Sequence, residues 1–125
     1  MSDAASQSFE VGVVVRYIEK ESDPDANRYV FAYTITIANR GAQAAQLISR
    51  YWRITNAEGA VQEVSGPGVV GRQPLIEPGE SYRYTSAAVI ATPVGSMEGH
   101  YEFEGATRFR VPIPAFSLSQ PNVVH

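Results

Sequence analysis

The run Gly66-Pro67-Gly68-Val69-Val70-Gly71 spells G-x-G-x-x-G, and Arg72 follows it. Glycines at that spacing let a backbone approach a pyrophosphate, which the first amides of a following helix then hold. Here no helix can follow. Pro74 and the pair Pro78-Gly79 come at once, and proline removes an amide donor and breaks a helix interior. A Rossmann-type dinucleotide site is therefore not expected. A nest of backbone amides needs no helix, so a phosphate compound or a divalent cation sensed at this loop stays as the second reading. The leading reading is a tight loop whose glycines permit positive φ.

Two other groupings invite chemistry. His100 lies between Glu98 and Glu102, and alternate residues of a strand share a face, so the three have the spacing of a metal site. A second imidazole is lacking, since His125 stands at the chain end. No metal ligand and no cofactor is assigned. Ser81, Thr85 and Ser86 have no histidine near them in sequence, which leaves a Ser–His pair little to build on. No catalytic residue is assigned, and the chain is read as non-enzymatic. Tyr51, Trp52 and Arg53 mimic an aromatic-basic nucleic-acid strand, but Trp52 is better explained as core.

The composition frames these sites. A chain of 125 residues, 44% apolar and 18% charged, fits one globular domain, expected over residues 1–125 with its core at about 9–118. The net charge of -3 gives no overall attraction to nucleic acid or anionic lipid. There is no cysteine, which fits a reducing cytosol. The first eight residues show no apolar signal core, and the longest aliphatic run, residues 87–91, is far too short to span a membrane. A cytoplasmic protein with no membrane or nucleic-acid partner is expected. Lys20 is the only lysine beside nine arginines, a bias that genome base composition explains.

The elements that must position the loop read as strands. Residues 9–18 place Val11, Val13, Val15 and Tyr17 on one face. Residues 28–39 alternate Tyr29, Phe31, Tyr33, Ile35 and Ile37 with Ala32, Thr34, Thr36 and Ala38. Residues 47–55 set Ile48, Trp52 and Ile54 on one side, but Arg50 falls there too. Either a bulge re-aims it or its guanidinium reaches past the core. A four-residue loop at 56–59 would return the chain as a strand at 60–64, with Ile54 across from Val61 and Glu63 opposite Trp52. Pro78-Gly79 fits the centre of a type II turn.

Residues 81–87 put Tyr82 and Tyr84 opposite to Arg83 and Thr85. Residues 97–104 turn Met97, Gly99, Tyr101 and Phe103 inward. A three-residue loop at 105–107 would pair Phe103 with Phe109, Tyr101 with Val111, Glu104 with Arg108 and Glu102 with Arg110. A two-residue loop would throw inward residues to the wrong face. Pro112 and Pro114 then end the pairing or confine residues 108–113 to an edge. Residues 121–125 read as a loose tail. About seven strands and no convincing helix make an all-β fold, an immunoglobulin-like or fibronectin type III-like β-sandwich, with a closed barrel as runner-up.

Several of these pieces, Tyr29-Val30-Phe31-Ala32-Tyr33, Ser49-Arg50-Tyr51-Trp52-Arg53-Ile54-Thr55-Asn56, the run from Glu63 to Gly79, Tyr84-Thr85-Ser86, Thr92 to Tyr101 and Ile113-Pro114-x-Phe116, resemble the ApaG family. The resemblance covers nearly the whole chain and departs at Pro67, where members more often carry a polar residue. It implies a fibronectin type III-like sandwich in a bacterial cytosolic protein. It also implies a genetic association with magnesium and cobalt homeostasis. In eukaryotic relatives, inside F-box proteins and a DNA-polymerase-delta-interacting protein, it implies a protein-interaction module.

The loop itself is unusually apolar, with Val69, Val70, Leu75 and Ile76. Some of these must tuck under and anchor it; others left outside beside Arg72 would suit a protein partner. The bland alternative buries all four. Gly66, Gly68, Val69, Val70, Gly71 and Arg72 are accordingly the expected partner-binding residues of a non-catalytic interaction domain.

Overall fold

The alternation of period two is realised as strands along most of the chain. A computed structural model describes residues 3–121. The elements are a short helix α1 (Asp3–Gln7), then β1 (Phe9–Tyr17), β2 (Tyr29–Asn39), β3 (Ala45–Asn56), β4 (Val61–Pro67), β5 (Leu75–Ile76), β6 (Ser81–Ile90), β7 (Val94–Glu104) and β8 (Arg108–Ser119). Every pairing is antiparallel. One sheet runs β1-β2-β6; the other runs β4-β3-β7-β8, with β5 also on β3. Three strands packed face to face on this larger sheet make a fibronectin type III-like sandwich, not a closed barrel. The seven expected strands are present, and β5 is a two-residue eighth. The five residues of α1 were not foreseen. Residues 122–125, with His125 and most of the expected tail, lie outside the described residues.

The core forms where the inner faces meet. Trp52 is buried at its centre, with Tyr33 edge-on at 5.3 Å and Phe116 edge-on at 5.8 Å between ring centroids. Phe9, Phe103 and Phe109 cluster toward one end, Phe103 stacked on Phe109 at 5.6 Å. Trp52 Nε1 is the only buried side-chain nitrogen or oxygen without a hydrogen bond among the described residues.

The β7–β8 hairpin has the expected register: Phe103 pairs with Phe109, Tyr101 with Val111, Glu102 with Arg110 and Glu104 with Arg108. The strand does not stop at its prolines. Pro114 and Ala115 form a bulge opposite Glu98, and β8 runs on to Ser119 as a sheet edge.

The β3–β4 hairpin differs by one residue. Thr55, not Ile54, pairs with Val61, and Trp52 pairs with Val64, not Glu63. The cause is Asn56. Its backbone amide donates to the Ala60 carbonyl at 2.9 Å. Its side-chain oxygen accepts from the Glu58 and Ala60 amides at 2.9 and 3.0 Å. Asn56 is thereby drawn into the strand, leaving a three-residue connection closed by Gly59 at φ 86°. Tyr51 shares the outer face with Glu63 and donates its hydroxyl to Glu63 Oε2 at 2.6 Å.

A bulge does occur in β3, but at Ile48, upstream of Arg50. It brings Leu47 to full burial and leaves Arg50 on the inner side, paired with Tyr101 across β7. Three phenols converge near it. Tyr84 and Tyr101 share a hydrogen bond at 2.5 Å, and Tyr33 stands beside Ser86. Burial pushes all three phenols above their ordinary value; Arg50 pulls each back a little, and the Ser86 hydroxyl also lowers Tyr33. The folded state therefore holds these protons after an unfolded chain has released them. The stabilising effect is complete below the ordinary phenol pKa of 10.0 and is lost as pH rises above it. Urea midpoints measured across pH should fall above pH 10.0. Absorbance titration with every tyrosine ionising at the ordinary value in intact protein would contradict this.

Candidate functional site

The glycine loop leaves β4 at the edge of the larger sheet, and β3 holds it from inside. Arg50 Nη1 donates to the Pro67 carbonyl at 3.2 Å and to the Gly68 carbonyl at 3.1 Å. A Cβ on Gly66 would stand 3.2 Å from that same nitrogen, so Gly66 gives the guanidinium its lane. The Gly68 amide donates to the Ile48 carbonyl at 2.8 Å. Gln73 Nε2 donates to the same carbonyl at 2.9 Å, Gln46 Nε2 donates to the Gln73 carbonyl, and the Leu47 amide to the Pro74 carbonyl.

The tip is a small hairpin. The Val69 amide donates to the Arg72 carbonyl at 2.8 Å, and the Arg72 amide donates back to Val69 at 3.0 Å. The two residues between, Val70 and Gly71, have φ of 47° and 78°. Positive φ at both central positions is the signature of a type I′ turn, which Asn-Gly fills best. A β-branched residue there is strained. Gly68 is required twice over: its φ is 63°, and a Cβ would come within 2.3 Å of the Arg72 carbonyl oxygen. After Pro74 and β5, the Glu80 amide donates to the Glu77 carbonyl at 3.0 Å, with Gly79 at φ 83°, as in the expected Pro78-Gly79 turn.

The apolar residues divide. Val69 and Ile76 are 0% and 2% exposed, whereas Val70 and Leu75 are 63% and 57% exposed. Arg72 is exposed beside them. Thus Gly66, Gly68 and Val69 build the loop, and Val70, Gly71 and Arg72 face outward from it. The amides of Gly68, Val69 and Arg72 are spent on carbonyls of the protein, and a two-residue strand, not a helix, follows. This leaves a phosphate little backbone to bind.

The His100 grouping points elsewhere. The imidazole stacks on Tyr51, with centroids 5.1 Å apart. Partial burial and then Arg110 lower its pKa, against Glu102. Both oxygens of Glu102 are engaged, by Arg108 at 3.4 Å and Arg110 at 3.0 Å, and Arg110 first among them holds its carboxyl below the usual value. Among the described residues no three His, Cys, Asp or Glu side chains converge to hold a metal ion. Arg50 is the residue that sequence reasoning left unassigned. Its signal was present as the one cation on an inward-facing stripe.

The family model described as the ApaG domain matches residues 19–105. Protein ApaG of Azoarcus sp. is 53% identical over 127 aligned positions, covering 100% of both chains. Protein ApaG of an Escherichia coli O1:K1 strain is 56% identical over 111 positions, 87% of this chain and 89% of its own. The crystal structure of an ApaA protein from Bordetella pertussis is 49% identical, covers 92% of this chain and 95% of its own, and superposes with a TM-score of 0.89. No helix among the described residues is long and apolar enough to cross a membrane.

The strain at Val70 and the crowding at Gly68 give opposite expectations. Val70→Asn supplies the favoured turn pair and should raise the melting temperature by a few degrees, roughly 1 kcal/mol. Gly68→Ala should cost about 2 kcal/mol or more. Both are read by thermal unfolding; a stabilising Gly68→Ala or a clearly destabilising Val70→Asn would contradict the loop geometry.

Proposed function

The chain belongs to the ApaG family, and we propose that it acts as a non-catalytic interaction module whose glycine loop is presented to a protein partner. The supporting observation is Val70: an exposed valine held at φ 47° by a loop anchored on all sides. Strain of this kind persists where the surrounding structure imposes it, and it concentrates at recognition sites. A smaller strain-free residue would serve a purely structural turn better. Arg72 and Leu75 are exposed in the same loop, a cationic and an apolar side chain on a backbone with little freedom left to lose on binding.

The family association with magnesium and cobalt is, in this reading, carried through the partner and not through an ion held by the chain. The engaged Glu102 oxygens support that. The same proposal places the protein in the cytoplasm, which suits a chain without cysteine. Calorimetry should find at most weak cobalt binding; micromolar affinity abolished by His100→Ala would overturn the ion-free part.

The interaction part is tested by capture from native lysate with quantitative mass spectrometry. A specific partner should be recovered by the wild type and fall about tenfold or more with Arg72→Ala and with Val70→Asn, although neither variant loses stability. Retention of every partner by both variants would make the loop structural only.

A further inference from the structure

The two sheets are unequal in width, and the shortfall lies on one side. β6 ends the three-stranded sheet, and the strand that faces past it, β4, is exposed along its length apart from Gly66. Val64 pairs with the buried Trp52 on the inner face, yet it is 38% exposed.

The free edge beside this gap is competent to pair. The Glu80 carbonyl accepts from Asn39 on β2, so by alternation the even residues of β6 turn their polar groups to β2 and the odd ones turn outward. Arg83, Thr85, Ala87 and Val89 thus present a row of main-chain donors and acceptors, none of them proline. Among the described residues only the Val89 carbonyl is engaged, by Gln62 Nε2 at 3.1 Å. The opposite side is guarded. The Gly105 amide donates to Thr107, which turns Arg110, Pro112 and Pro114 outward along β8. Two of these have no N–H, and Ser6 of α1 donates to the Arg110 carbonyl at 2.6 Å.

The chemistry of the gap is graded. At its far end a groove of about 310 Å³ is lined by the apolar Ile54, Val61, Val89 and Ile90 and by the polar Asn27 and Gln62. Val64 lies in the middle. At the near end is Arg50, whose Nε and Nη2 make no hydrogen bond among the described residues and whose charge meets no carboxylate there. The ion pairs that the described residues do make lie on β1, β7 and β8 with Arg40, away from this gap.

We propose that the partner docks here as one added β-strand: an extended segment pairs with the outward edge of β6 and lies over the bare inner face of β4, with two apolar side chains at alternate positions toward the groove and Val64, and a carboxylate toward Arg50. A row of unpaired amides and carbonyls is complemented by another extended backbone, and a gap one strand wide admits one strand. Gln62 releases Val89 as the segment enters. This rests on the interaction reading above and adds where and in what form the partner binds.

The test is selection of linear peptides from a phage-displayed library on the full chain, followed by affinity measurement on the selected peptides. They should carry alternating apolar residues ending in an acidic one. Their affinity should fall about tenfold or more with Ala87→Pro, which removes an outward amide, and equally when alternate peptide amides are N-methylated. The N-methylated peptides leave the protein untouched, so a poorly folding Ala87→Pro variant does not spoil the result. Affinity indifferent to N-methylation, or failure to enrich any linear peptide, overturns the strand proposal. Peptides that lose affinity with Arg72→Ala but not with Ala87→Pro leave the loop reading standing and remove this one. Lysate capture indifferent to both loop variants removes the loop reading alone. A concentration-dependent dimer abolished by Ala87→Pro would make the occupant a second copy and overturn the partner strand.

Discussion

Arg50 carries its charge on the inner face of β3, and its Nη1 donates to two successive carbonyls, of Pro67 and Gly68. A half-buried cation without a carboxylate is costly unless oriented oxygens receive it. The loop supplies those oxygens, and in return its backbone cannot drift. Gly66 is small so that the guanidinium can pass, and Gly68 is in the left-handed region so that the chain can turn back onto Arg72. The glycine spacing that mimics a phosphate motif is accounted for by these contacts. The same side chain lies near Tyr33, Tyr84 and Tyr101, so one residue links the loop to the polar part of the core.

That anchoring has a consequence at the surface. With Val69 and Ile76 fixed inside, Val70 and Leu75 are forced outside. They lie along the side where β4 and β6 end their sheets, together with Val61, Val64 and Val89. The other side is closed by α1 and by prolines at the outward positions of β8. Edge protection on one side and apolar exposure on the other make the molecule two-faced, although its net charge and composition are ordinary.

Much of this was legible in the sequence where hydrophobic pattern alone decides. The β7–β8 register followed because only one loop length keeps Phe103 and Phe109 both inside. The β3–β4 register did not follow, because Asn56 captures two amides with its side chain and shifts the pairing by one; Ile54 and Val61 alone could not report that. Of the two readings of Pro112 and Pro114 the edge strand holds, and only its length, on to Ser119, was not foreseen, because the sequence does not say which way their missing donors face. The loop's split between buried and exposed valines was foreseen only as an alternative, since neighbouring valines look alike until Gly68 and Val70 take positive φ. Arg50 was visible as a misfit, but its partners are carbonyls, which no side-chain pattern reveals.

Arg50 holds the glycine loop rigid from inside. Amide hydrogen exchange on Arg50→Met, which keeps the length of the stem and removes the donors, reads that restraint amide by amide. Protection of the Gly68, Val69 and Arg72 amides should fall by about tenfold or more, with the β2 and β7 core amides unchanged. Undiminished protection in the loop would contradict the claim.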